Sequence, residues 1–223
     1  MALSHFFRCI HTFYMLVLIK AYGLGDFAQV YPLSRGSAPL LTAMLGFLLL
    51  NESMQISEML GMLLIIAGIF GLALETSAGV LQLSRPALFY SLLTGLCITA
   101  YSLVDGMGVR LSGNSLSFIL WMFFLDGFLV PLVAFARRPR QLLVDTIKIV
   151  WKPGLMVSLL STIGYAIIVW AFSQERIAPI AVLRETSVLF AMLISVLFIK
   201  EGFSALRALI IGLILGGIIL LGL

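Results

Sequence analysis

The chain has 223 residues, of which 61% are hydrophobic and 11% are charged, and its mean hydropathy is +1.15. A soluble domain usually carries about 25% charged residues, and disordered chains are polar and highly charged, so this composition excludes both classes. The net charge of +4 does not indicate a nucleic-acid partner, because most basic residues lie between apolar runs, where membrane proteins keep them. The composition therefore predicts a multi-pass membrane protein surrounded by the lipid bilayer, and we expect it in the cell (inner) membrane.

Eight apolar runs of membrane-spanning length follow one another along the chain. They cover residues 4–23, 27–50, 56–74, 86–109, 116–136, 154–172, 178–199 and 203–223. The runs are apolar on all sides, which favours helices over barrel strands, because barrel strands alternate in polarity. We therefore expect an all-α integral membrane fold of eight transmembrane helices. The basic segment 137–152 is expected to be a connector, with room for a short interfacial helix.

The sequence aligns with itself without gaps when it is shifted by 149 positions. The shift pairs charged or small residues with residues of matching type: Arg35 with Arg184, Glu52 with Glu201, Gly68 with Gly217, and Asp26 with Glu175. The charged pairs carry the argument, because charges are scarce in this chain. We interpret residues 1–75 as an incomplete first repeat of three helices and residues 86–223 as a second repeat of five. A symmetrical protein would have ten helices, so this chain is expected to lack the first two.

Two segments carry a family resemblance. Residues 30–52, VYPLSRGSAPLLTAMLGFLLLNE, precede a glycine-rich apolar helix, and residues 183–201, LRETSVLFAMLISVLFIKE, have the same form in the second half. With residues 100–110, AYSLVDGMGVR, they resemble the EamA type of drug/metabolite transporter. The resemblance implies a ten-helix secondary transporter, built from two inverted five-helix repeats around a central cavity. The chain departs from that pattern by starting at the third helix.

Two arginines inside apolar runs are candidate substrate ligands. Arg35 and Arg184 each follow a proline, Pro32 and Pro179, where we expect a locally broken helix of the kind that lines transporter sites. A charged group in mid-membrane costs about 2.5–3.5 kcal/mol on insertion scales, so each needs a compensating role. The resemblance implies that both helices line the cavity. We expect the arginines to bind a carboxylate or phosphate in a bidentate manner; the alternative is that each snorkels or pairs with a buried acid.

Acidic residues inside the runs have two interpretations. Asp105 and Asp126 are candidates for proton coupling, or for ion pairs across the bundle with the arginines; Asp105 could also cap a helix end. Glu185 follows Arg184 directly, so on a continuous helix it would point about 100° away from it. His11 is expected to be a contact between helices rather than a proton carrier.

Four aromatic residues are candidates for the wall of a substrate site: Tyr101, Trp121, Tyr165 and Trp170. Their alternative role is anchoring at the membrane interface, where aromatic residues are common. The sequence has no catalytic or ATP-binding motif and no metal-binding cysteine spacing, so we expect no enzyme activity and no cofactor.

These features predict a secondary transporter or exporter that moves a small metabolite by alternating access. An amino acid or another organic anion is the expected substrate, because the candidate ligands are arginines. Missing helices would leave an open flank, which makes a homodimer an additional expectation. The alternative is a shortened, non-transporting membrane module that assembles with a partner or is inactive.

Overall fold

The computed structural model describes residues 2–25, 27–50, 55–76, 84–187, 189–190 and 204–221. Eight helices lie in this part of the chain: α1 (Ala2–Tyr22), α2 (Phe27–Leu50), α3 (Ile56–Thr76), α4 (Arg85–Leu111), α5 (Ser115–Arg137), α6 (Arg140–Gln174), α7 (Ile177–Arg184) and α8 (Ala205–Leu221). The described residues contain no strands, in agreement with the all-α prediction.

Among the described residues, four helices are long and apolar enough to cross a membrane: Leu33–Leu50, Arg85–Leu111, Ser115–Arg137 and Arg140–Gln174. Three shorter apolar helices cover Ile10–Tyr22, Ile56–Gly71 and Ala205–Leu221. Such segments are stable in lipid because a helix satisfies its own backbone hydrogen bonds. The count of eight spans stays a prediction.

Helix α6 differs from the prediction at its start. It begins at Arg140 and continues through Pro153 to Gln174, so the predicted connector 137–152 is mostly helix rather than a separate segment. Proline removes a single backbone donor, and a membrane helix tolerates that loss. Asp145 supports the first turns through contacts one turn away in each direction, with Gln141 and with Lys148.

Neither predicted helix break is found at its proline, because α2 continues through Pro32 and α7 continues through Pro179. Helix α2 is continuous from Phe27 to Leu50, so the expected break before Arg35 is wrong. Helix α7 ends at Arg184, where the amides of Glu185 and Thr186 donate to carbonyls three residues earlier. This is the tighter 3₁₀ pattern, which often ends a helix. The predicted helix over 178–199 is therefore interrupted, and its part after residue 190 lies outside the described residues.

The chain forms two compact units. Unit 1 contains residues 1–13 and 104–175, and unit 2 contains residues 14–103 and 176–223. Helices α1 and α4 each contribute one end to each unit. The units therefore do not follow the predicted repeat boundaries at residues 75 and 86, and the division into repeats stays a prediction.

Unit 2 contains a very close crossing of α3 and α8. A Cβ atom added to Gly61 would lie 2.7 Å from the carbonyl oxygen of Gly217, and one added to Gly217 would lie 2.5 Å from the carbonyl oxygen of Gly61. Gly68 packs on Ile214, and Gly217 packs on Ile65. The last two contacts are equivalent under the repeat: a shift of 149 positions places Gly68 on Gly217 and Ile65 on Ile214. Glycine permits this approach because it places no side chain between the helices.

An ion pair joins the start of α3 to the segment before α7 in unit 2. Both carboxylate oxygens of Glu58 accept from the guanidinium of Arg176, and the Nη1–Oε2 distance is 2.9 Å. The amide of Gln55 also donates to Glu58, at 2.8 Å. A two-point contact fixes both the distance and the orientation of the guanidinium plane. It therefore positions the chain just before the helix that ends in Arg184.

Candidate functional site

Two arginines and one glutamate meet in unit 2. The Nη1 of Arg35, on α2, lies 3.4 Å from Oε1 of Glu185, and the Nε of Arg184 donates to the same oxygen at 3.0 Å. The Glu185 side chain is fully buried, whereas 30% of the Arg35 side chain is exposed. We call these three residues the arginine cluster. Its two guanidinium groups and one carboxylate carry a single net positive charge.

Aromatic rings flank both guanidinium groups. The ring of Tyr31 lies 5.5 Å from the guanidinium of Arg35, and that of Tyr101 lies 6.0 Å from the guanidinium of Arg184. Tyr14 packs edge-on against Tyr101, at 5.3 Å between ring centroids. A cation near the face of an aromatic ring is stabilised by the ring quadrupole. The rings therefore help to hold two charges in an apolar environment.

Glu185 lies where the sequence did not predict it. The expectation that it points away from Arg184 is wrong, because α7 ends at Arg184 and the two side chains bend towards each other at the following turn. Its second oxygen, Oε2, is buried, and no donor among the described residues is within hydrogen-bond distance. A buried carboxylate oxygen without a donor is costly, so such an atom indicates a place for a ligand group or water.

A second polar cluster lies in unit 1, on four helices. The imidazole of His11, on α1, has Nε2 3.4 Å from Oδ2 of Asp105 and Nδ1 3.7 Å from Oδ2 of Asp126. The hydroxyl of Tyr165, on α6, donates to Asp105 at 2.6 Å. Asp105 is fully buried, and the histidine and Asp126 are mostly buried. We call these four residues the acid–histidine cluster.

The cluster corrects two expectations about Asp105. Helix α4 continues beyond it to Leu111, so Asp105 does not cap a helix end. Its described partners are His11 and Tyr165, in place of the expected arginine. Asp126 faces the same histidine. The described residues hold no group of three or more His, Cys, Asp or Glu side chains that could bind a metal ion.

The four predicted aromatic residues do not form one wall. Tyr101 belongs with the arginine cluster and Tyr165 with the acid–histidine cluster. Trp121 is 63% exposed and Trp170 is 53% exposed, which is typical of aromatic residues that face lipid. The structure therefore gives the two tryptophans no packing of the kind that encloses a ligand.

Sequence reasoning missed several residues of these clusters. Tyr31 is one helical turn before Arg35, so helical spacing could have found it. Glu185 aligns with Gly36 under the 149-residue shift, so the repeat gave it no matching partner. The sequence predicts that His11 is a contact between helices, but not which residues it contacts. No sequence signal paired it with two aspartates on other helices, because that pairing depends on tertiary packing.

Comparison with known proteins gives a family and a fold. The profile described as "EamA-like transporter family" matches residues 85–223. A solved structure titled "Crystal structure of protein" is similar to this chain with a TM-score of 0.77 and 19% identity, and the match covers 97% of this chain and 76% of that one. At that identity the similarity shows the fold alone. No curated protein matches the sequence.

Proposed function

We propose, from the premise that this chain belongs to the EamA-like transporter family, that it is a secondary transporter of small organic anions, amino acids included. The family and the apolar helices make it a multi-pass membrane protein of a drug/metabolite transporter type. The proposal adds a substrate class, a binding site, a location in the cell inner membrane and an alternating-access cycle.

The observation that carries the proposal is the carboxylate shared by two arginines. A guanidinium presents paired donors that match a carboxylate, so Arg35 and Arg184 are suited to bind one. Glu185 already contacts both guanidinium groups, at 3.4 Å from Arg35 and 3.0 Å from Arg184. It acts as an internal counterion that lowers the cost of two cations in a membrane. A substrate carboxylate adds the second negative charge and brings the cluster to neutrality.

The arrangement of the helices supports a cycle of alternating access. The two arginines come from α2 and α7, which belong to different halves of the predicted repeat. The reciprocal glycine contacts of α3 and α8 support a duplicated architecture, in which two related halves rock around one site. The helix end at Arg184 and the turn at 185–186 provide backbone that can change conformation beside the ligand.

The test is uptake into proteoliposomes of four labelled probes with different charges. L-lactate is a monoanion, L-alanine a zwitterion, succinate a dianion and choline a cation. We expect saturable uptake of at least one carboxylate probe and none of choline. Arg35→Lys should lower kcat/KM at least about 10-fold, because a lysine cannot replace a bidentate contact to a carboxylate.

Arg138→Lys is the matched control. Arg138 follows α5 and is exposed, so the same substitution should leave uptake unchanged there. Equal uptake by the parent and Arg35→Lys would refute recognition of a carboxylate by this guanidinium. Absence of uptake for all three carboxylate probes would refute the transport of small organic anions.

A further inference from the structure

The acid–histidine cluster is a buried polar site of unit 1, and the proposed function leaves it unused. We propose that His11, Asp105 and Asp126 bind a proton and couple its movement to transport. This inference rests on the proposed function, because coupling needs a transported solute. It adds the driving ion and names the residue that carries it.

The geometry places one imidazole between two carboxylates. Nε2 of His11 faces Asp105 at 3.4 Å and Nδ1 faces Asp126 at 3.7 Å. A neutral imidazole has one N–H and donates to a single carboxylate, whereas an imidazolium donates to both. Both distances exceed the usual 2.7–3.2 Å of a formed N–H···O hydrogen bond. Binding of one proton therefore draws α4 and α5 towards the same residue of α1.

Tyr165 fixes one carboxylate of the site. Its hydroxyl donates to Oδ2 of Asp105 at 2.6 Å, on the oxygen that also faces His11. The other oxygen, Oδ1, is buried, and no donor among the described residues is within hydrogen-bond distance of it. This carboxylate is therefore held in place with one acceptor position left over. A positioned acceptor next to an imidazole is the arrangement through which a proton can be held and passed on.

The two carboxylates described beside His11 favour the binding of a proton. The titratable side chains described around the imidazole come from three other helices: Asp105 on α4, Asp126 on α5 and Tyr165 on α6. Arg110, further along α4, donates to the carbonyl oxygens of Phe172 and Glu175 at 2.8 and 2.7 Å. With neutral His11 the two carboxylates carry two negative charges. One bound proton reduces them to one, at a site where burial makes charge costly.

Histidine suits this role because its charge changes in the physiological pH range. In the proposed step, a proton from water on one side of the membrane forms an N–H bond with the imidazole, and the same bond breaks to return the proton to water on the other side. No other bond changes. The movement of α4 and α5 that accompanies the step links proton binding to the conformation of the transporter.

The experiment compares two transport modes in proteoliposomes loaded with the four probes used above. Exchange at equal pH needs no driving ion. Accumulation in an imposed gradient of one pH unit, with the membrane potential clamped, can reach about 10-fold when one proton is coupled to one solute. We expect His11→Gln and Asp126→Asn to lower the ratio of accumulation to exchange at least about 5-fold, so that accumulation falls close to the level without a gradient.

His5→Gln is the matched control, because His5 and His11 are the only two histidines of the chain. It should leave both transport modes unchanged. The inference is overturned if the His11→Gln variant accumulates the solute in the pH gradient as strongly as the parent does. Lack of exchange by the parent overturns the proposed function instead.

If the parent protein shows no exchange, a measurement that needs no substrate still tests proton binding by His11. In ¹⁵N-histidine-labelled His5→Gln protein, every imidazole signal comes from His11. Spectra are recorded from about pH 5 to pH 9, and the inference expects this signal to change with pH and to change differently in the Asp105→Asn variant. A single protonation state over that range overturns it.

Discussion

Replacing Gly217 by alanine tests how closely the α3–α8 crossing is packed. The added Cβ would lie 2.5 Å from the carbonyl oxygen of Gly61 and 2.6 Å from Cγ1 of Ile65. The isoleucine side chain can rotate away, but the carbonyl is fixed by the helix. The two helices must therefore separate to admit a single methyl group.

The cost follows from that separation. Overpacking a well-packed core by a methyl group costs about 1–3 kcal/mol, and a contact with fixed backbone belongs at the upper end of this range. Part of this cost is offset, because alanine stabilises a helix by about 0.5–1 kcal/mol relative to glycine. We therefore expect the free energy of unfolding to fall by about 2 kcal/mol, which lowers the ratio of folded to unfolded protein roughly 30-fold.

The assay is reversible unfolding in mixed micelles with an increasing fraction of denaturing detergent. Gly216→Ala is the matched control on the same helix, because its Cβ would lie 3.9 Å from the nearest atom, Cδ1 of Leu64. Gly212 meets nothing within 4 Å, so alanine there should be neutral or slightly stabilising. Equal unfolding curves for the Gly217 and Gly216 variants would refute the close crossing.

Other contacts give further expected outcomes. Glu58→Gln weakens the two-point contact with Arg176 and should lower the free energy of unfolding by about 1–2 kcal/mol, with a smaller effect at high salt because 35% of the arginine side chain is exposed. The same detergent titration at two salt concentrations measures this. Asn114→Ala removes the side chain that accepts from the amide of Ser117 at the start of α5, and should cost about 1 kcal/mol, whereas Asn114→Asp keeps the cap. Tyr165→Phe removes the hydroxyl donor to Asp105, and should lower gradient-driven accumulation more than exchange at equal pH; equal losses in both modes would contradict a role in proton binding.

The helices were largely predictable because apolar length is a strong signal. The runs 27–50 and 116–136 agree closely with α2 and α5. The start of α6 was not predictable, because the basic residues of 137–152 are as compatible with an exposed helix as with a connector. The end of α7 at Arg184 follows no proline or glycine, so only the three-dimensional structure places it.

The site was predictable in its charges and not in its pairings. Arg35, Arg184, Asp105 and Asp126 stand out in the sequence because ionisable groups are rare in apolar runs. Which of them meet depends on helix packing, which leaves no local signal in one sequence. Contacts such as that between His11 and Asp126 therefore come from the structure alone.

The repeat shift aligns Glu185 with Gly36, so the two sides of the arginine cluster differ in the residue beside the arginine. The two arginines are equivalent under the shift, but the acid beside them is present once, and a Cβ on Gly36 would already lie 3.0 Å from the ring of Phe70. A second acid at that position of the first half would have to displace this ring. A ligand between the arginines has unlike neighbours at its two ends, so turning it round changes its energy. A duplicated scaffold would in this way distinguish the head of its ligand from the tail.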